Sequence, residues 1–254
     1  MERNSLYLST IDPHAPELAR KWGLGLEISE FCTAWNLDRD FSQVDPAVRQ
    51  SLSGVSRAVL HGPFSELFPC AIDPKIRDTA AERYLQTLEV ARGYGISKVI
   101  LHAGFNFYLY YPCWFTQQSI LFWKEFLPQI PEGMTVCLEN VLEEEPQMLL
   151  DILHSVDDPR LRMCLDVGHA QAYSKKSPMD WLTDCQDVID HFHVHNNNGS
   201  KDLHADLFDG VISMAPLLNQ IQMLCPQATV TLELPNGKPS LDWMEEHHLL
   251  EDLL

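Results

Sequence analysis

One alternation constrains this chain more than any other feature. A short apolar run is followed by a longer helical stretch, eight times from end to end. The runs are "SLYLST", "LGLEIS", "RAVLHG", "SKVILHAG", "MTVCLEN", "LRMCLDVGH", "VIDHFHVH" and "ATVTLELP". Most are nearly continuous in apolar residues, the pattern of parallel strands covered by helices on their outer face. Helices are predicted at residues 12–21, about 44–52, 73–95, about 116–127, about 146–154, from about 178, and about 211–224. An acidic helical tail, "PSLDWMEEHHLLEDLL", closes the chain. The clearest helix has Asp73 as its cap, Pro74 in its first turn, and Gly93 and Gly95 near its end. Eight such units in 254 residues predict an α/β fold, a (β/α)8 TIM barrel forming a single domain over residues 1–254. An open, doubly wound sheet is the alternative arrangement of the same units.

Charge narrows the partners. Thirty-six acidic residues against 18 basic ones leave a net charge of -18. Such a surface repels a nucleic acid backbone unless a basic stripe overrides it, and Lys175, Lys176 and Lys201 read as solvated surface groups. A small-molecule substrate is therefore expected. No run is long enough to cross a bilayer and the N-terminus carries no signal-like segment, so a cytoplasmic protein without a membrane partner is expected. The seven cysteines are odd in number and widely spaced, with no C-x-x-C pair. They suggest neither a disulfide framework nor a thiolate zinc site, and Cys137 and Cys164 read as buried free thiols.

Strongly polar residues recur at the ends of the apolar runs: Glu27, His61, His102, Glu139, Asp166 with His169, His193 with His195, and Glu233. Asp202 and His204 follow the seventh run. Taken singly, a strand-end histidine is usually a hydrogen-bonded structural group. In a barrel, however, all these positions meet at one face. The carboxylates of Glu139, Asp166, Asp202 and Glu233 crowded there would repel one another and raise some of their pKa values. Imidazoles offset that repulsion only when protonated, whereas a divalent cation offsets it directly. Nitrogen and oxygen donors without thiolate suit zinc, manganese, iron or magnesium. Within "DHFHVHNNNGSKDLH" strand alternation turns His193 and His195 toward the barrel axis and Phe192 and Val194 toward the helices. His191 shares the inward register but lies deeper, as a packed supporting group.

The motifs "LHGPF", "LHAG", "LEN", "CLDVGH", "HVHNNNG", "DLH" and "LELP", in that order over essentially the whole chain, resemble the xylose-isomerase-like TIM barrels. That superfamily holds sugar isomerases and epimerases together with endonuclease IV. For the isomerase branch the resemblance implies one divalent metal on Glu139, Asp166, His193 and Glu233. The two glutamates then also exchange a substrate proton, and His169 steadies a substrate oxygen. For the endonuclease branch it implies two or three zinc ions on His61, His102, Glu139, Asp166, His169, His193, Asp202, His204 and Glu233. The chain departs from the family pattern at Asn196, where an aspartate is usual, and at Asn198 and Gly199, where many epimerases place an arginine. "LFDG" stands where a glycine-rich turn is common.

Three functions are thus expected in competition. The first is a metal-dependent sugar, sugar phosphate or polyol isomerase or epimerase, working through an enediolate. The second is a multinuclear zinc hydrolase of a small phosphoester, since a duplex binder needs more lysine and arginine around its mouth. A metal-binding barrel without catalysis is the third, and so complete a ligand set has no folding role to justify it. The run "FNFYLYYPCWF" holds Phe105, Phe107, Tyr108, Tyr110, Tyr111, Trp114 and Phe115, with Phe31 and Trp35 expected nearby in the mouth. It either packs its loop or forms a lid that stacks on a sugar-like or ring-bearing substrate. Gly168 is expected to permit the turn between Asp166 and His169. No G-x-G-x-x-G is present, so no nucleotide cofactor is expected.

Overall fold

The structure, a computed structural model, describes residues 1–250. Eight parallel strands run in sequence order: β1 (Leu6–Ser9), β2 (Gly25–Ile28), β3 (Ala58–His61), β4 (Lys98–His102), β5 (Thr135–Glu139), β6 (Leu161–Asp166), β7 (Ile189–Val194) and β8 (Thr229–Leu232). β8 pairs with β1, which closes the barrel and excludes the open sheet. The helices are α1 (Ala15–Trp22), α2 (Ala34–Leu37), α3 (Phe41–Leu52), α4 (Pro74–Gly93), α5 (Pro112–Phe126), α6 (Gln147–Val156), α7 (Val167–Tyr173), α8 (Pro178–Cys185), α9 (Met214–Leu224) and α10 (Lys238–Glu246). Among the described residues no helix is long and apolar enough to cross a membrane.

Strand alternation sorts side chains into two cores. Phe192 and Val194 of β7 join the large cluster between barrel and helices. Tyr7, Val59, Ile100, Cys137 and Cys164 fill the barrel interior below the mouth. Gly25 makes room there: a Cβ at that position would stand 2.3 Å from the Tyr7 ring. This apolar plug leaves the polar strand ends as the floor of an open mouth.

Several boundaries differ from expectation for local reasons. α4 is capped as expected, with the Asp73 carboxylate accepting the Lys75 amide at 2.9 Å. α5 begins at Pro112 rather than 116, because proline at the first helical position presets φ, so the end of the aromatic run is helical. Asp166 ends β6 and also caps α7 by accepting the His169 amide, which starts a helix the sequence reading had not separated. α9 begins at Met214 rather than 211, since the residues before it are bound to Asn196. Among the described residues the acidic tail is helical to Glu246, and its last four residues lie outside the described residues.

Candidate metal centre

The mouth encloses a cavity of about 490 Å³, with His61, His102, Glu139, His169, His204 and Glu233 among the polar groups lining it and Ile11, Phe64 and Val141 as apolar walls. That volume is ordinary for a small-molecule site. A comparable outer groove of about 510 Å³ between α4 and α5 is lined by Arg77, Asp78, Gln118 and Glu125 and gathers no histidine.

All nine sequence-predicted side chains come together here, in three groups. The first surrounds His193, which is fully buried. Its Nδ1 lies 3.2 Å from Glu139 Oε1, 3.5 Å from Glu233 Oε2 and 3.8 Å from Asp166 Oδ2. None of the three is aligned for a hydrogen bond, so this buried nitrogen has no hydrogen-bond partner. In a tetrahedral zinc site with bonds of about 2.1 Å, neighbouring donors sit about 3.4 Å apart. The three distances from Nδ1 bracket that value, and the groups that could hold a cation here also include Glu27, His61, His193 and Glu233 together, and His61, His102 and Glu139 together.

The second and third groups share a rule. His61 Nδ1–H donates to the Gly62 carbonyl at 2.9 Å, leaving Nε2 aimed at Glu139 Oε2 at 3.0 Å. His102 Nε2 approaches the same oxygen at 3.4 Å. Likewise His169 Nδ1–H donates to the Asn140 carbonyl at 2.9 Å, and His204 Nδ1–H to the Glu233 carbonyl at 2.8 Å. Both of their Nε2 atoms then face Asp202 Oδ2 at 3.2 Å. A neutral imidazole whose Nδ1 carries the proton presents a bare lone pair at Nε2. Pointing that lone pair at a carboxylate is repulsive unless a second proton or a cation lies between them. A backbone carbonyl on the far nitrogen is also how metal-ligating histidines are commonly fixed.

Electrostatics state the same demand. Burial opposes protonation of His169 and His193, yet Asp166, Asp202 and Glu139 around the first, and Cys164 with Glu27, Glu139 and Glu233 around the second, outweigh it and hold both imidazoles well above their ordinary range. His204 is pushed up to about 9, against burial, by Asp202 and Glu233. Burial would raise the Glu139 carboxyl, but His193 and His102 outweigh it and hold Glu139 well below its ordinary value. His102 moves the other way, to about 3, because burial and the neighbouring imidazoles prevail over Glu139. Without a cation, protons on His169, His193 and His204 balance the carboxylates.

The arrangement also depends on residues outside the nine. Asn140, from "LEN", donates to the Asp166 carbonyl at 3.0 Å and accepts the Asp166 amide at 2.8 Å, which fixes that strand end. His195 is fully buried, with Nε2 3.2 Å from Asp166 Oδ2 and its ring 4.0 Å from that of His204. Its inward register was the available signal for it. Glu27 lies under His193, with Oε1 3.0 Å from Nε2. Phe64, the last residue of "LHGPF", stacks on His102 at 4.3 Å and walls the cavity.

Three expectations are corrected. Gly168 serves His195 rather than the turn: a Cβ there would stand 1.9 Å from His195 Cε1. The aromatic run is not a wall of the cavity. Phe105 and Phe115 are buried against each other and Trp114 donates to the Cys70 carbonyl, while Phe107, Tyr108 and Tyr111 are exposed. Phe31 is buried against Phe41 and Tyr94, away from the mouth, whereas Trp35 is exposed.

The departure at Asn196 has a physical reason. Its side-chain amide donates to the Leu207 and Ile212 carbonyls, and its oxygen accepts the Asn197 and Ile212 amides. Aspartate has no donor for those carbonyls. Asn196 thereby pins the "LFDG" turn, where Gly210 is needed because a Cβ would stand 2.2 Å from Asn196 Oδ1.

The sequence profile of the xylose isomerase-like TIM barrels matches residues 24–253. The chain belongs to this family. Among the relatives of this xylose isomerase-like barrel is an uncharacterized protein of Methanocaldococcus jannaschii, 28% identical over 213 residues, 77% of this chain and 69% of that protein. A probable endonuclease 4 of Ureaplasma urealyticum is 26% identical over 193 residues, 66% of this chain and 61% of that protein. Among solved structures, a D-tagatose 3-epimerase-like protein superposes with a TM-score of 0.76 at 20% identity, covering 96% of each chain. A Thermus thermophilus protein soaked with zinc chloride superposes at 0.75 with 23% identity, covering 95% of this chain and 97% of that one. At these identities the structural likeness carries the xylose isomerase-like fold.

Proposed function

We propose that the protein is a metal-dependent isomerase or epimerase of an unphosphorylated sugar or related polyol. The observation that carries this reading is the pair of carboxylates, Glu139 and Glu233, placed 3.2 and 3.5 Å from His193 Nδ1 on the cavity floor. A divalent cation held by Glu139, Asp166, His193 and Glu233 would polarise a carbonyl and its neighbouring hydroxyl. One glutamate then removes the proton from the carbon beside the carbonyl, and an enediolate forms. The other glutamate returns a proton to the adjacent carbon or to the opposite face. His169 steadies a substrate oxygen, and Ile11, Phe64 and Val141 keep water from the enediolate.

The charge of the mouth supports a substrate without phosphate. Its lining residues include no lysine or arginine. The Gly237 amide at the start of α10, the kind of group that binds phosphate in many barrels, is already bonded to the Asp12 carboxylate at 2.9 Å. A panel of aldoses and ketoses incubated in D2O with metal-loaded protein tests the reading. Solvent deuterium should appear on the carbon beside the carbonyl, and Glu233→Gln should abolish exchange while the fold is retained. Absence of exchange across the panel contradicts the proposal.

A second reading, a multinuclear hydrolase of a small phosphoester, is favoured by one observation. The pairs His61 and His102 on Glu139 Oε2, and His169 and His204 on Asp202 Oδ2, are further donor sets beyond a single-metal need. Turnover of a phosphodiester with two or three bound zinc ions would decide for it.

A further inference from the structure

Three of the imidazoles at the mouth are held from behind by a backbone carbonyl, but His193 is held by a charge. Its Nε2 faces Glu27 Oε1 at 3.0 Å, and both side chains are fully buried. Glu27 does not line the cavity, so no role in substrate contact accounts for it, although one of its oxygens lies within 4.8 Å of ligand atoms of His61, His193 and Glu233.

The structure fixes which oxygen of Glu27 is free for this task. Lys98 Nζ donates to Thr229 Oγ1 at 2.8 Å and pairs with Asp190 at 2.8 Å. The Thr229 hydroxyl lies 3.4 Å from the Asp190 carbonyl and 2.5 Å from His191 Nδ1, and the nearer acceptor takes its proton. His191 then carries its proton on Nε2, which donates to Glu27 Oε2 at 3.1 Å. The Thr231 hydroxyl donates to the same oxygen at 2.6 Å. Oε2 is thus engaged twice, and Oε1, which has no hydrogen-bond partner, faces His193 Nε2, likewise without an aligned partner, at 3.0 Å. With the proton drawn to Nε2, the lone pair of His193 rests on Nδ1, the atom that meets Glu139, Asp166 and Glu233.

We propose that Glu27, locked by His191 and Thr231, is the positioning residue that makes His193 an Nδ1 metal ligand. It acts through His193 without touching the ion. A carboxylate behind a ligating imidazole fixes its tautomer and raises its basicity, and losing such a partner typically costs about ten- to hundredfold in metal affinity. The inference rests on the metal-centre reading above and is independent of which reaction the centre performs.

The test measures zinc affinity by chelator competition, together with the 15N and 1H signals of His193 in the zinc-loaded protein. Wild type should show a nitrogen shift marking metal on Nδ1 and a downfield, slowly exchanging Nε2–H. Glu27→Gln keeps the shape and removes the charge. It should weaken zinc binding about ten- to hundredfold and move the Nε2–H signal upfield. Thr231→Val, which removes one donor to Glu27, should weaken binding by a smaller factor and serves if the first variant does not fold. A folded Glu27→Gln protein with wild-type zinc affinity and an unmoved Nε2–H signal overturns the proposal. So does equal zinc affinity in Thr231→Val and wild type when the first variant is unfolded. Failure of wild type to bind zinc overturns the metal-centre reading itself, and this inference with it.

Discussion

His193 Nδ1 and Glu139 Oε1 stand 3.2 Å apart with no hydrogen bond aligned between them, although they come from β7 and β5, strands that are not neighbours in the barrel. Glu139 meets His61 through its other oxygen, so one carboxylate serves two imidazole groups. Glu139→Gln should therefore lower zinc affinity by more than about a hundredfold, beyond the usual cost of losing a supporting partner. It should also cost about 3 kcal/mol of metal-free stability at pH 6, because buried imidazolium charge loses its counterion. Chelator competition and urea unfolding measure the two effects.

Gly168→Ala sets a methyl group against His195 Cε1 at 1.9 Å. The imidazole cannot move freely, being stacked on His204 and held near Asp166. The substitution should cost about 2–3 kcal/mol, as overpacking of a tight site does. The double variant Gly168→Ala with His195→Ala should recover part of that loss, which a thermodynamic cycle from denaturant unfolding would show.

Asn196→Asp restores the residue the family prefers and should nevertheless destabilise this chain by about 2 kcal/mol. The carbonyls of Leu207 and Ile212 lose their donor, the buried Asn196 amide. Hydrogen exchange should speed up in residues 207–212, where the turn is tied down largely through this side chain.

These last two relationships show where sequence reading stopped. The order of the strands and the polar side chains at their ends were legible, because a histidine or carboxylate at the end of an apolar run has a predictable direction once the barrel closes; Asp202 and His204, in the loop after β7, were legible only through the family resemblance. Gly168 against His195, and Asn196 against residues 207–212, depend on which turns fold against which, and no periodicity encodes that. Glu27 was visible as a polar strand end, but its pairing with His193 crosses from β2 to β7 and needs coordinates. The aromatic run left loop packing and a lid as equal readings, and composition cannot choose between them; Pro112 turned part of it into the first turn of α5, and Phe105 and Phe115 pack against each other.

The metal-free protein should lose stability as pH rises from about 6.5 to about 9. His204 is raised to about 9, so its contribution is complete below the ordinary histidine value and lost as pH climbs through 9. His169 and His193, raised in the same direction, add to the decline. Burial pushes Glu143 up to about 7, so its contribution falls away between about 4.5 and 7. Saturating zinc competes with these protons and should flatten the curve. Thermal unfolding across this pH range, with and without zinc, checks the sign.

The most direct test of the central claim is anomalous diffraction at the zinc edge from crystals soaked at neutral pH. The account predicts a peak bounded by Glu139 Oε1, Asp166 Oδ2, His193 Nδ1 and Glu233 Oε2. A mouth that stays free of anomalous density at saturating zinc, with the four side chains in place, would contradict it.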